Sequence, residues 1–306
     1  MCYTLIVKRK SGQQTANHKA RKNIKKLLTN TCLCGIIRVF QKEQERERTE
    51  MNIVVFDTET TSIEKPFVYN IGYTIWDTDT AEKLYKGDFV AEQIWHNREL
   101  FTTAYYAEKR DEYIARMRGR TCEMAKLGAI TQKMCRVFAE FEVVAGFAYN
   151  SPFDDRVFAF NCEWFKIKNP FDNIPIYDIR GYVHKFIAFT PLYQKFCDDN
   201  QYYTESGNYS TTAETVYRFI SGNTDFIEEH TALADAEIEL DILLECIKRG
   251  AEWNTEYKVY RSIPRAVDKV LQVKDADGET HCFPYHRITT YKEKNNKTRI
   301  ILKFKG

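Results

Sequence analysis

The stretch Ile53-Val54-Val55-Phe56-Asp57-Thr58-Glu59-Thr60-Thr61 decides the fold. Its first four residues form a continuous β-branched and aromatic run, the pattern of a strand buried on both faces. Two carboxylates follow, two positions apart. Alternation along an extended chain puts Asp57 and Glu59 on one side, where both can reach one cation. A buried strand that ends in paired acids suits an α/β sheet whose chemistry lies beyond the carboxyl ends of its strands.

The neighbouring sequence builds such a sheet. Phe67 to Trp76 and Asp88 to Ile94 read as two more strands, antiparallel neighbours of the first. Met124, Leu127, Met134, Val137, Phe138 and Phe141 recur at helical spacing. That helix leads into Val143-Val144-Ala145-Gly146-Phe147-Ala148-Tyr149, a second buried strand. A helix from Asp154 to about Phe165 follows. A last long helix spans about Thr231 to Arg249, with Lys248 and Arg249 at its negative end and Gly250 as its stop. Three strands, a helix, a strand and two helices make an α/β layer with a mixed sheet flanked by helices.

The flanks differ from this body in charge. Residues 1–50 carry 12 Lys/Arg against 4 Asp/Glu, and residues 255–306 carry 12 against 6. The middle, 51–254, holds 21 basic and 33 acidic residues, so a net charge of +2 conceals an acidic body between basic ends. That distribution suits a polyanionic partner, although basic tails are also often merely solvated. Residues 1–50 read as a basic extension, either a disordered arm for nucleic acid or targeting, or a leader that is not translated, with Met51 as the true start. His18 to Leu28 has the spacing of a basic amphipathic helix, and Gln41 to Glu50 is a charged linker. Residues 255–306 read as a small basic β appendage of two hairpins turning at Asp277-Gly278 and Asn295-Asn296.

Composition is that of an ordinary soluble protein, 43% apolar and 29% charged. No apolar run approaches the ~20 residues that span a bilayer. The reading is therefore cytoplasmic, or the host-cell cytoplasm if a virus encodes the chain, with no membrane partner. Nine cysteines without regular spacing read as reduced core thiols. Cys32 and Cys34 form a pair that no second pair completes into a zinc set.

Two further blocks carry chemistry. One is Asn150-Ser151-Pro152-Phe153-Asp154, directly after the second buried strand. If that strand lies beside the first, Asp154 faces the same crevice as Asp57 and Glu59. The other is His230-Thr231-Ala232-Leu233-Ala234-Asp235, at the start of the long helix. Four carboxylates offer two magnesium ions an oxygen cage, and His230 beside it can take a proton from the attacking water. Each block alone has a plainer reading. An Asp-x-Glu pair can be solvated turn acids, Asp154 can be the N-cap of its helix, and a lone histidine is more often structural. Their joint order on these elements is much harder to reach by chance. His96, His184, His281 and His286 lack partners at metal spacing and read as surface or core histidines. Tyr202, Tyr203, Tyr209 and Tyr217 read as packing ahead of base stacking.

These three blocks resemble the three motifs of the DEDDh group, the DnaQ-like 3′→5′ exonucleases of the ribonuclease H-like superfamily. The first matches at Asp57-Thr58-Glu59-Thr60-Thr61, where the family continues with glycine and this chain has Ser62 and then Ile63. The second matches at Asn150, Phe153 and Asp154, the third at His230, Ala232 and Asp235. The resemblance covers about residues 51–250 and implies a ribonuclease H-like mixed sheet. It also implies roles. Asp57, Glu59 and Asp235 hold one metal ion, and Asp57 bridges to a second that Asp154 completes. His230 is the general base. Glu59 and the backbone of Thr60 hold the terminal 3′-hydroxyl, Ile63 wedges against the last base, and Asn150 adds a substrate contact. Magnesium is the expected ion, with manganese as a substitute. Serine in place of glycine alters the turn without removing a ligand. Asp155 is a rival ligand that the motif spacing disfavours.

The function expected is a two-metal-ion exonuclease that trims single-stranded DNA from its 3′ end, in proofreading beside a separate DNA polymerase or in DNA degradation and repair. The runner-up is the same chemistry on RNA, as in RNase T-like enzymes or oligoribonucleases, because the 2′-hydroxyl is read by local contacts outside the three blocks. A catalytically silent nucleic-acid-binding module would have lost one of the five residues, and all five are present. A nonspecific binder relying on its charged ends is a fourth reading.

Overall fold

The computed structural model describes residues 51–265 in full, and the backbone of three strands among residues 268–304. The expected helix at 18–28, the Cys32/Cys34 pair, the charged linker and the turns at 277–278 and 295–296 lie outside the described residues.

Six strands form the central sheet: β1 (Asn52–Thr60), β2 (Val68–Asp77), β3 (Glu82–Ala91), β4 (Glu123–Ala125), β5 (Val143–Ala148) and β6 (Ile176–Asp178). Their order is β4-β3-β2-β1-β5-β6, and β2 alone runs against the rest. β5 lies beside β1 and parallel to it, as a shared crevice requires. β3 pairs with β2 and not with β1, so it runs parallel to β1 rather than antiparallel as expected. The reason is connectivity. Two short reversals, at Ser62–Phe67 and Thr78–Ala81, make a meander, in which alternate strands share a direction.

The helices are α1 (Glu92–Trp95), α2 (Arg98–Phe101), α3 (Arg110–Arg118), α4 (Leu127–Glu140), α5 (Ser151–Phe165), α6 (Ile179–Val183), α7 (Pro191–Asn200), α8 (Ala213–Ser221) and α9 (Ala232–Lys248). A single 3₁₀ turn at Ala107–Lys109 precedes α3, and one π-helical turn at His184–Ala188 continues α6. Met124, read as the first residue of a helix, instead belongs to β4, which pairs with β3 before α4 begins.

Alternation along β1 builds two cores. Val54 and Phe56 pack with Val157, Phe158 and Phe171 on the α5 face. Ile53 and Val55 pack with Leu240, Ile242 and Leu243 on the α9 face. All four β1 residues are wholly buried, which explains why their run shows no polar alternation. Continuing the pattern puts Asp57 and Glu59 on the α9 face and Thr58 on the α5 face.

Residues 255–265, assigned from the sequence to the appendage, lie against this body. Ile263 is buried in the α9-side core, and Tyr209 donates its backbone N–H to the Ile263 carbonyl at 3.0 Å. The three later strands, Asp268–Lys274, Thr280–Lys292 and Thr298–Phe304, form one antiparallel sheet whose long middle strand serves both hairpins. Among the described residues no helix is long and apolar enough to cross a membrane.

Candidate active site

β1 delivers its acids to the end of the sheet, where its pairing with β2 shifts register between Glu59 and Thr60. Such a bulge bends the strand and re-aims the side chains beside it. α9 comes down over this point. Two residues of β2 set how close it comes. Asn70 Oδ1 accepts from the Ala232 N–H at 2.9 Å and from the Tyr113 hydroxyl at 2.9 Å, while its amide donates to Asp88 and to the Phe89 carbonyl. Gly72 lies opposite Asp57, and a Cβ there would overlap the backbone of Ala232 and Leu233. The sequence reading passed over both. Their signal is a glycine and an asparagine inside an apolar strand, which marks close backbone approach.

The result is a tight acidic group. Carboxylate oxygens of Asp57, Glu59 and Asp235 lie within 4.8 Å of one another. Asp235 is buried in the first turn of α9, and its Oδ1 has no hydrogen-bond partner. Asp154 is not in this group. It sits in the first turn of α5, where Thr58 donates its hydroxyl to Oδ1 at 2.6 Å. The N-cap reading of Asp154 is therefore wrong: α5 starts three residues earlier, and Asn150 holds the cap position in a left-handed conformation with φ 66°. Asp154 is buried, whereas Asp155, the next residue along α5, is exposed.

Burial raises every acid here, and neighbouring charges add to it for all but Asp57. Burial alone pushes the Asp57 carboxyl up to about 7. Burial, then the charges of Asp57 and Glu228, push Asp235 to about 9, and Lys109 opposes the rise. Glu59 is raised by burial, then by Asp57 and Asp235; Asp154 is raised by burial, then by Asp57. A further carboxylate belongs to this field. Glu239, one turn after Asp235, is buried, accepts the Tyr149 N–H at 3.0 Å, and is raised by burial and then by Asp57 and Asp154. So many buried acids resist ionising together. An oxygen-seeking divalent cation would relieve that conflict and satisfy the orphaned Asp235 oxygen, so these residues fit such an ion.

His230 stands at the rim of this group. It has φ 49°, in a segment without helix or strand. Neighbours from two other segments hold it. The Tyr106 ring stacks on its imidazole with centroids 4.4 Å apart and planes 13° from parallel. Its Nδ1 lies 4.0 Å from Glu228 Oε2. Glu228 is fastened by its own N–H to Glu214 Oε2 at 3.0 Å, and Glu214 pairs with Arg218 at 2.7 Å. Lys109 donates to the Glu229 carbonyl. Burial, then Lys109, lower the His230 pKa, which favours the neutral, proton-accepting ring. Tyr106, Lys109, Glu214 and Glu228 carry no sequence signal beyond residue type, since they come together from separate segments.

The fold thus gathers Asp57, Glu59 and Asp235 at the end of β1 in a mixed six-stranded sheet, with Asp154 bonded to Thr58 of the same strand. No family model and no curated protein matches the sequence. Among solved structures, E. coli exonuclease I in complex with a dA16 oligonucleotide is similar over 64% of this chain, at 16% identity and a TM-score of 0.41. This chain spans 41% of that protein's length. The nuclease domain of 3′hExo, a DEDDh family member bound to rAMP, is similar over 71% of this chain and 99% of its own, at 11% identity and a TM-score of 0.41. A 3′-exonuclease with 3′-end specific recognition of a histone mRNA stem-loop is similar over 82% of this chain and 91% of its own, at 10% identity and a TM-score of 0.44.

The remaining sequence-derived candidates fall as follows. Ile63 is 75% exposed in the loop after β1. Ser62 does not take a positive φ; its hydroxyl exchanges hydrogen bonds with Lys65, donating to the carbonyl at 3.0 Å and accepting from the N–H at 3.1 Å. The turn therefore closes without a glycine. Thr60 lies at the bulge. Asn150 Oδ1 accepts from Arg180 at 2.9 Å, and its N–H donates to Asp178. His184 is buried and accepts the Tyr260 N–H at 2.9 Å, a structural role, while His96 is exposed. Tyr209 is buried and Tyr202, Tyr203 and Tyr217 pack on the α9-side core. Cys122, Cys162, Cys197 and Cys246 are buried free thiols.

Proposed function

We propose that this chain is a divalent-metal-dependent 3′→5′ exonuclease that hydrolyses single-stranded DNA from its 3′ end. The observation that carries the reading is the 4.8 Å group of Asp57, Glu59 and Asp235, with a buried unpartnered oxygen, beside a histidine held in place by ring stacking. Asp57, Glu59 and Asp235 would hold one cation, and Asp57 with Asp154 a second. The cations supply charge neutralisation for an attack on an already anionic phosphodiester. His230 accepts the proton of the attacking water through Nε2, since Nδ1 is turned toward Glu228. Glu59 and the Thr60 backbone receive the 3′-hydroxyl, which makes the cleavage exonucleolytic. Ile63 packs against the terminal base.

The test is digestion of 5′-labelled single-stranded DNA and RNA of one sequence, with magnesium or manganese, beside an Asp57→Ala/Asp235→Ala control. Stepwise shortening from the 3′ end, absent in the control and with chelator, is the expected result. Faster shortening of the RNA would make the chain an exoribonuclease. Binding without shortening in either metal would reduce it to a binding module. A polymerase partner and a proofreading role belong to the same proposal and are tested by co-purification.

A further inference from the structure

A cavity of about 420 Å³ lies at the turn between β5 and α5. Its walls include Asn150, Arg180, Thr204, Ser206, Thr212 and Arg261. No carboxylate lines it, which is notable because residues 51–254 carry an excess of acids. Among the described residues neither Arg180 nor Arg261 forms an ion pair within 4.0 Å, although Asp178 is close enough to Arg180 to feel its charge. The cavity also opens on the amino end of α8, whose N-cap Thr212 spends its hydroxyl on Thr215 and leaves the first N–H groups available.

Its position ties it to the acidic group. Tyr149 lines the cavity, and its backbone N–H donates to Glu239, the carboxylate that shares the field of Asp57 and Asp154. Arg180 holds the side chain of Asn150, the residue that turns the chain toward Asp154. Two guanidinium groups, several hydroxyls and a helix amino end are the donors that phosphate oxygens take. Among the lining aromatics Tyr209 is buried and Tyr149 donates its hydroxyl to the Thr211 carbonyl, so neither presents an open stacking face.

We propose that this cavity is a phosphate subsite, which holds a phosphodiester of the same strand upstream of the scissile bond. The inference rests on the exonuclease reading and deepens it. The acidic group repels the strand that it must cut, and a cationic anchor upstream offsets that repulsion for substrates long enough to reach it.

The test compares two substrates on the full chain: the p-nitrophenyl ester of thymidine 5′-monophosphate, which ends at the terminal nucleotide, and a labelled oligothymidylate. Arg261→Gln is the first variant because Arg261 is exposed and forms no ion pair within 4.0 Å among the described residues; Arg180→Gln and the pair follow. The expected result is a rise of about 10-fold in the ratio of KM values, oligomer over ester, in the double variant, with the salt dependence of oligomer binding reduced by about one contact. An unchanged ratio and an unchanged salt slope would overturn the subsite. Weakened inhibition by thymidine 5′-monophosphate, without any dependence on oligomer length, would also overturn it and place a free mononucleotide there. If the unmodified protein cleaves neither substrate, the exonuclease reading fails. Anisotropy of the labelled oligomer then decides the subsite: weaker binding by the double variant supports it and equal binding sinks it.

Discussion

Tyr106 lies flat on the imidazole of His230, ring centroids 4.4 Å apart, although the two residues are separated by more than a hundred positions in the chain. The contact matters because nothing in the backbone around His230 fixes the ring. Its φ of 49° is one that a histidine seldom adopts, and the segment before α9 has no regular hydrogen bonding. The stacked face therefore sets where Nε2 points. Tyr106→Ala should lower kcat about 10- to 100-fold, the range expected when a reacting group drifts by an ångström. KM and the stabilisation by added metal should stay near their starting values. Tyr106→Phe keeps the stacking face and should keep most of the rate. Steady-state kinetics on a 3′-labelled strand would separate these cases, and equal losses in both variants would count against the positioning role.

Lys109 should set the acid side of the pH profile. Its ammonium opposes the raised pKa of Glu59, Glu228 and Asp235, and it lowers that of His230. Each effect favours the deprotonated group that catalysis and metal binding need. Removing the charge reverses each of them, so in Lys109→Met all four groups keep their protons to higher pH. The acid limb of kcat/KM should move toward higher pH, and activity at the alkaline plateau should change much less. A limb that stays in place would show that Lys109 acts through its bond to the Glu229 carbonyl alone.

The acidic group should cost the metal-free protein stability at the pH where the enzyme would work. Asp57 ionises near its ordinary value of 3.8 when unfolded, but only near 7 in the fold. Between those values the unfolded chain gives up its proton first. The stability linked to that proton is present below about pH 4 and is lost as pH rises through about 7, and Asp235 extends the loss toward about 9. Magnesium or manganese binds the ionised form, so its effect on the melting temperature should be small at pH 5.5 and large at pH 8. At a 100-fold excess over Kd the gain is about 2.7 kcal/mol, on the order of 5–10 °C for a domain of this size. Asp235→Asn removes the cost of keeping that carboxyl protonated in the fold at a pH where the unfolded chain ionises it. It should abolish cleavage, raise the melting temperature of the metal-free protein at pH 8, and shrink the shift on adding metal. Differential scanning fluorimetry of both proteins at two pH values reads all three, and a destabilised Asp235→Asn would contradict the electrostatic account.

Much of this site was legible because its main parts are local. The apolar run before Asp57 marks a doubly buried strand, and the two blocks at Asn150–Asp154 and His230–Asp235 mark the ends of elements that must lie near it. Direction and pairing were less so: β3 was read as a neighbour of β1, and the start of α5 was read at Asp154, because a proline at its second position disguised the opening turn. Tyr106, Lys109, Glu214 and Glu228 escaped altogether. They act across the fold, with no spacing between them that a sequence pattern could register. Ser62 was the reverse case. Its departure from glycine suggested an altered turn, yet the hydroxyl supplies the bonds that close the loop.

Gly72 offers the sharpest test of how the site is assembled. Its missing side chain lets the first turn of α9 rest directly on β2, opposite Asp57, and Asn70 two residues earlier bonds that same turn at the Ala232 N–H. A methyl group at position 72 meets backbone, which cannot rotate away as a side chain would. Either α9 lifts or β2 bends. Overpacking of this kind costs about 1–3 kcal/mol, and in Gly72→Ala the displacement falls on Asp235, one turn into the helix. Activity should therefore fall much further than stability: a loss of about 100-fold or more in kcat, with the protein still folded at 25 °C. Gly87→Ala serves as the comparison, because there the added carbon meets the side-chain rings of Tyr73 and Phe89, on the α5-side core. It should cost stability with little effect on metal-dependent cleavage. Equal effects of the two substitutions on rate would mean that the contact between β2 and α9 does not set the spacing of Asp57 and Asp235.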